Sequence, residues 1–287
     1  MTRVNDILSI FYVLLVCVTN VFSLSNTSCG ISEELQPVQA VGPAAAVVET
    51  SSLAPVGQVR VDQYPWMVSV QKKLSNGVWK HVCGGSIIDE ARVLTAAQCK
   101  DSTSQSYRIV AGCNTVRDDF IHEDCQVASF EKDNFYTHRR FNATTRKNDI
   151  GVITLPQRLT FTRHVRAICI GRVQGMLIGQ NATAAGWGRM RQNSASQAES
   201  ERLHAVSVQV LPDRTCAKTH HTFSSIHHMC AANIVPTRGV CDGDAGGPLM
   251  IRVGEQFVQI GIISHGGSCN SYAIRTGVYT RVNSFLP

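Results

Sequence analysis

Apolar and polar positions change texture along this chain of 287 residues. Ile7–Phe22 is apolar and follows a polar start that carries Arg3. Residues 24–59 are rich in Ala, Val, Pro, Ser and Thr without a period, and Pro37, Pro43 and Pro55 interrupt them. That composition predicts a loosely ordered pro-segment or linker. From Tyr64 onward, short apolar or alternating runs are separated by Gly, Asn and Asp. Trp66–Val70, Tyr107–Ala111, Gly151–Leu155, Ala205–Val210, Phe257–Ser264 and Gly277–Val282 are the clearest. Runs of this length predict strands, and together an all-β sandwich or barrel over residues 60–287. The length suits one large β domain, and no internal repeat divides it.

The first apolar run is shorter than the roughly 20 residues a membrane span needs. With compact residues at Val21-Phe22-Ser23, it predicts a signal peptide over residues 1–23. The mature protein is then expected outside the cell, with no membrane attachment after signal removal. Of the 11 cysteines, Cys17 leaves with that peptide and ten remain. An even number in a secreted chain predicts disulfides rather than metal ligation, and no cofactor is expected. Asn26, Asn142 and Asn181 each head an Asn-x-Ser/Thr sequon and are glycosylation candidates. The net charge of +6 is modest, but Arg139, Arg140, Arg146 and Lys147 cluster. The cluster is either a solvated face or a site for a sulfated glycan or other anionic partner. No Gly-rich phosphate loop and no interleaving of basic and aromatic residues is present, which excludes nucleotide and nucleic-acid binding as leading classes.

Several motifs then occur in a fixed order. They are Tyr64-Pro65-Trp66-Met67-Val68-Ser69-Val70, Cys83-Gly84-Gly85-Ser86, Leu94-Thr95-Ala96-Ala97-Gln98-Cys99, Asn148-Asp149-Ile150, Gly186-Trp187-Gly188, Cys241-Asp242-Gly243-Asp244-Ala245-Gly246-Gly247-Pro248 and Gly277-Val278-Tyr279-Thr280-Arg281-Val282. Together they resemble the trypsin- and chymotrypsin-like serine proteases from about Tyr64 to the C-terminus. The resemblance implies an all-β fold of two antiparallel six-stranded β-barrels, disulfide-stapled, with a cleft between them. It also implies the bridges Cys83–Cys99, Cys216–Cys230, Cys241–Cys269 and Cys29–Cys169, the last tying the pro-segment to the body. Cys113 and Cys125 are left as an extra loop staple. The family's bridge between positions 182 and 251 is absent, because Ala182 and Ile251 stand there.

The resemblance places Gln98, Asp149 and Ala245 at the three positions of the catalytic triad. In the active family a serine hydroxyl attacks, a histidine moves the proton and an aspartate orients the histidine. Ala245 has no hydroxyl, and the amide of Gln98 does not titrate near neutral pH. Losing either group costs on the order of 10⁶ in turnover. Asp149 is left a structural role, as acceptor of a Gln98 amide hydrogen. The backbone amides of Gly243 and Ala245 correspond to the oxyanion hole. Gly239, Ser264, His265, Gly266 and Gly277 line the equivalent of the specificity pocket, and Gly239 removes any preference for Lys or Arg.

The cleavage site that activates the family, expected near Leu53, lacks both the basic residue and the apolar start that follows it. A zymogen-like pair of Asp244 with His81 is therefore expected. The family's final helix is missing after Phe285-Leu286-Pro287 unless the sequence is incomplete, and its loss would expose an apolar strip. His220, His221, His227 and His228 lie in one cysteine-closed loop and would be the candidates for any metal, although a polar surface loop is the expectation.

The functional expectation is a secreted, non-catalytic protease homologue. It would act as a cofactor, adaptor or decoy in an extracellular protease network of immune or reproductive fluid, contacting active proteases or their substrates. The alternatives are a secreted structural or storage protein, and a residual endopeptidase with an unorthodox nucleophile.

Overall fold

The computed structural model describes residues 29–32, 57–117, 121–173, 175–188, 202–233, 243–266 and 276–286. Gly57–Gln58 (β1) opens the domain and pairs with Ala205 and His204. Val59 follows, buried in the main core. Residues 57–59 are thus part of the β domain, which corrects the expectation of a loose linker reaching residue 59. The cause is local: Val59 N–H donates to Leu203 O at 3.0 Å, and an apolar side chain follows it inward.

The first sheet contains Met67–Lys73 (β2), Trp79–Asp89 (β3), Arg92–Thr95 (β4), Ser106–Ala111 (β5), Gln126–Glu131 (β6), Phe135–Thr137 (β7) and Gly151–Thr154 (β8). Its order is β6-β5-β2-β3-β4-β8-β7, antiparallel throughout. The two edge strands, β6 and β7, are joined by the single turn Lys132–Asn134. A three-residue turn spans no more than about 13 Å, so the sheet must curl until its edges approach. The first unit is a seven-stranded, barrel-like sheet (a half-barrel) whose edge strands are not paired to each other, and it supplies the first of the two barrels expected. Alternation shows the half-buried surface in β6, where Ala128 and Phe130 point in and Val127, Ser129 and Glu131 point out.

The second sheet contains Cys169–Ile170 (β9), Asn181–Gly186 (β10), His204–Leu211 (β11), His228–Asn233 (β12), Pro248–Val253 (β13), Gln256–Gly266 (β14) and Thr276–Arg281 (β15). Strands β11-β10-β13-β14-β15-β12 follow in order, and β12 pairs back onto β11. That pairing closes a six-stranded barrel and removes its free edges. One short helix, Asp213–Ala217 (α1), packs beside β12.

Tyr64, Trp66 and Phe257 join the two units, with ring centroids 5.4 to 6.1 Å apart. Ala182 and Ile251 are both buried in the core of the closed barrel, where apolar packing occupies the positions of the missing family bridge. Four of the five expected disulfides are present: Cys29–Cys169, Cys83–Cys99, Cys113–Cys125 and Cys216–Cys230. Cys241–Cys269 lies outside the described residues, as do Gly239 and Asn26. Among the described residues no helix is long and apolar enough to cross a membrane.

Candidate functional site

The site is assembled where the half-barrel faces the closed barrel. Gln98 sits on the single turn Ala97–Cys99 that follows β4, and Cys83–Cys99 pins that turn to β3. Asp149 enters just before β8. Asn148 adopts φ 58°, a left-handed conformation that Asn tolerates better than most residues, and its side chain holds Arg140 O at 2.8 Å. This turn carries Asp149 into the interior, where it is fully buried.

Three neutral donors converge on its carboxylate. Gln98 N–H donates to Oδ1 at 2.9 Å, while the Gln98 side-chain amide and the Ser264 hydroxyl each donate to Oδ2 at 2.6 Å. The same Gln98 Nε2 also donates to Ser264 O at 2.6 Å. Both amide hydrogens are thus engaged, and Oε1 is the only polar atom left on that side chain. Burial pushes the Asp149 carboxyl above its ordinary range, opposed by Ser264, Gln98 and the charge of Arg146. The expected Gln98–Asp149 hydrogen bond is thus present; the contributions of Ser264 and of Thr280, whose hydroxyl donates to Asp149 O at 2.9 Å, were not visible beforehand. Ser264 and Asp149 lie 115 residues apart, and no local pattern couples them.

Ala245 lies on the loop before β13, tied to both units. Gly84 N–H of β3 donates to Ala245 O at 2.8 Å, and Gly246 N–H donates to Ile263 O of β14 at 2.8 Å. Gly246 has φ 85°, and a Cβ there would come within 2.3 Å of Thr95 Oγ1 and 2.4 Å of Gly84 O, so only glycine fits. Among the described residues no acceptor takes the N–H of Gly243 or Ala245. These two amides can donate to a carbonyl oxygen or an anion, while Ala245 presents a methyl group beside them.

His81 and Asp244 do not meet as expected. His81 Nδ1 pairs with Ser69 Oγ at 2.7 Å and Nε2 with Gly243 O at 3.0 Å. A carbonyl can only accept, so Nε2 carries the hydrogen and Nδ1 takes that of Ser69. Both ring nitrogens are thereby engaged one residue short of Asp244. The Asp244 carboxylate turns the other way, to the N–H of Gly188 at 2.7 Å. A Cβ on Gly188 would lie 2.4 Å from Asp244 Cγ, so this carboxylate is seated directly on the Gly-Trp-Gly turn.

Of the pocket positions, Ser264 is absorbed by Asp149, Gly266 is exposed, and Gly277 lies under the Tyr279 ring. His265 is half-buried, with its ring centroid 5.7 Å from His220 and 5.9 Å from His228. Burial, then the neighbouring charges of His228, His220 and Arg146, push its pKa down to about 4. The four histidines of the cysteine-closed loop do not converge. His228 takes Ser224 N–H at 3.1 Å on one nitrogen and gives the other to Arg146 O at 2.9 Å, while His220 bonds Thr276. Among the described residues no group of His, Cys, Asp or Glu is placed to hold a metal ion. Asn142 and Asn181 are both exposed, on the loop before β8 and at the start of β10.

A closed β-barrel and a half-barrel, with a glycine-framed loop and a buried aspartate at their junction, define a protease-type double-barrel architecture. The sequence model of the family described as Trypsin matches residues 56–287. The chain belongs to the trypsin-like serine protease family. It is 30% identical over 236 residues to a protein called "Venom protease" from Bombus pensylvanicus, covering 79% of this chain and 93% of that one. It is 32% identical to "Chymotrypsin-C" from Mus musculus, over 78% of this chain and 82% of the relative. "Trypsin alpha" from Drosophila melanogaster is 31% identical over 77% of this chain and 80% of its own length.

Proposed function

We propose that this chain is a secreted, non-catalytic member of its family that works by binding. It serves as a cofactor, adaptor or decoy in an extracellular protease network, and its partners are active proteases or their substrates. The observation that carries the reading is the Gln98–Asp149 hydrogen bond of 2.6 Å, opposite a loop whose nucleophile position is Ala245. An amide whose hydrogens are both donated cannot take a proton, and a methyl group cannot attack a carbonyl. The remaining capability is recognition. The Gly243 and Ala245 amides can hold a peptide carbonyl, and Gln98 Oε1 can accept from a peptide N–H.

The test is to expose the purified chain to a fluorophosphonate probe and to a peptide library, beside an active relative. The expected result is no label and no cleavage, together with recovery of a stoichiometric protein partner from the native fluid. Multiple-turnover cleavage that survives removal of trace proteases would overturn the non-catalytic part. Absence of any partner would overturn the adaptor part.

A further inference from the structure

The loop between β7 and β8 carries Arg139, Arg140, Arg146 and Lys147 within nine residues, and no Asp or Glu occurs from Asn134 to Asn148. Arg139 and Arg140 are exposed, and Arg146 and Lys147 are half-buried. Backbone bonds from Asn142 N–H to Lys147 O at 3.1 Å and from Arg146 N–H to Asn142 O at 2.8 Å fold the loop onto itself. Among the described residues none of the four basic side chains forms an ion pair with a carboxylate.

The neighbouring elements add positive charge. Lys147 acts on His227 and His228, and Arg140 and His227 act on His138. His228 Nε2 holds Arg146 O at 2.9 Å, so the histidine loop and the basic loop form one surface. Arg281 is also close to His228, whose carbonyl it holds. The carboxylates that face this region are already committed. Asp149 is buried under Gln98 and Ser264, and Asp213 is bonded to Arg281 by both oxygens at 2.9 Å.

We propose that the 139–147 loop, with His138 and His227, is a binding surface for a sulfated polysaccharide. Three of its four cations are guanidinium groups, whose planar forks suit sulfate oxygens and bind them in pairs. Within the 139–147 loop no apolar side chain is an exposed anchor of the kind a protein partner uses, since Phe141 is half-buried; Ile226, beside His227, is the exposed apolar residue at the margin of the surface. It also offers no stacking platform for nucleic-acid bases. The surface borders the cleft through Arg146, whose charge acts on Asp149 and His265, but sulfate binding uses none of the atoms that peptide cleavage would need.

The pH dependence follows from the same cluster. Burial and the adjacent cations hold the pKa values of His138 and His227 below the ordinary histidine value. A bound polyanion favours their charged forms, so binding takes up protons and strengthens on acidification.

The experiment is a titration of the full chain with size-defined heparin-type oligosaccharides, an unsulfated oligosaccharide and polyglutamate of matched charge. Binding only to the sulfated ligand is expected, several-fold tighter at about pH 5.5 than at about pH 7. R139E alone should weaken it, and R139E/R140E/K147E should weaken it at least about tenfold and flatten its salt dependence. Lys80→Glu, in β3 outside this surface, should leave it unchanged. Equal binding to polyglutamate would reassign the surface to an acidic protein segment and overturn the proposal. Unchanged affinity in the triple variant, equal loss in Lys80→Glu, or no binding at low salt would overturn it too.

Discussion

The side-chain amide of Gln98 lies 2.6 Å from Asp149 Oδ2, occupying the carboxylate face that an imidazole would need. The acid is held by two Gln98 donors and the Ser264 hydroxyl, and the proposed non-catalytic reading rests on the Gln98 side-chain contact. It also bears on what restoring the chemistry would take.

Ala245→Ser alone should stay silent toward a fluorophosphonate probe, because the new hydroxyl would find no base. Gln98→His added to it would place an imidazole N–H on Asp149 Oδ2. The double variant is expected to label at least about 10²-fold faster than the single one, the lower range for a positioned general base. Time courses of labelling check this. Equal rates would mean that the Asp149 frame does not support a base at all.

Asp149→Ala should destabilise the chain by about 2–3 kcal/mol, since it strands the Gln98 donors and the Ser264 hydroxyl in a buried site. Urea denaturation reads the effect as a lower midpoint with an unchanged slope. A neutral result would show that the carboxylate's own burial cost equals what its hydrogen bonds contribute.

Acid should weaken the fold through His265. Its pKa falls from the ordinary 6.5 in the unfolded chain to about 4 in the folded one. The unfolded state therefore binds the proton first, and the stability present above pH 6.5 is lost as pH falls toward 4. Asp149 acts in the opposite sense, because its raised pKa makes the folded state the better proton binder between the ordinary carboxylate range and its own value. Melting curves of wild type and His265→Gln across this interval separate the two. The variant should lose less stability than wild type between pH 6.5 and 4.

Gly246→Ala should cost about 2–3 kcal/mol or more, combining a left-handed backbone with a clash against Gly84 O. The damage should appear both in thermal stability and in any peptide affinity of the cleft, because the Gly243–Ala245 amides sit on the same loop. Gly254→Ala is the comparison. It also has positive φ, at 60°, but nothing within 4 Å of an added Cβ, so a much smaller loss is expected.

Much of this was legible from residue order. Short strands, the glycine-framed loop around Ala245 and the Thr-Ala-Ala-Gln-Cys run are local, and local patterns survive in a linear string. So did the paired cysteines Cys83 and Cys99 and the hydrogen bond expected between Gln98 and Asp149.

Other features required the chain to fold. Whether the first sheet closes depends on how β6 and β7 curl towards each other, and strand patterning carries no curvature. The direction of the Asp244 carboxylate depended on which donors reached it. Ser69 and Gly243 engage both nitrogens of His81, and the nearby Gly188 amide takes the acid instead. Ser264 on Asp149, and His227 beside Lys147, likewise join residues far apart in sequence. Side-chain chemistry is a property of each residue and can be read singly. Partnership is a property of distance, which only packing sets.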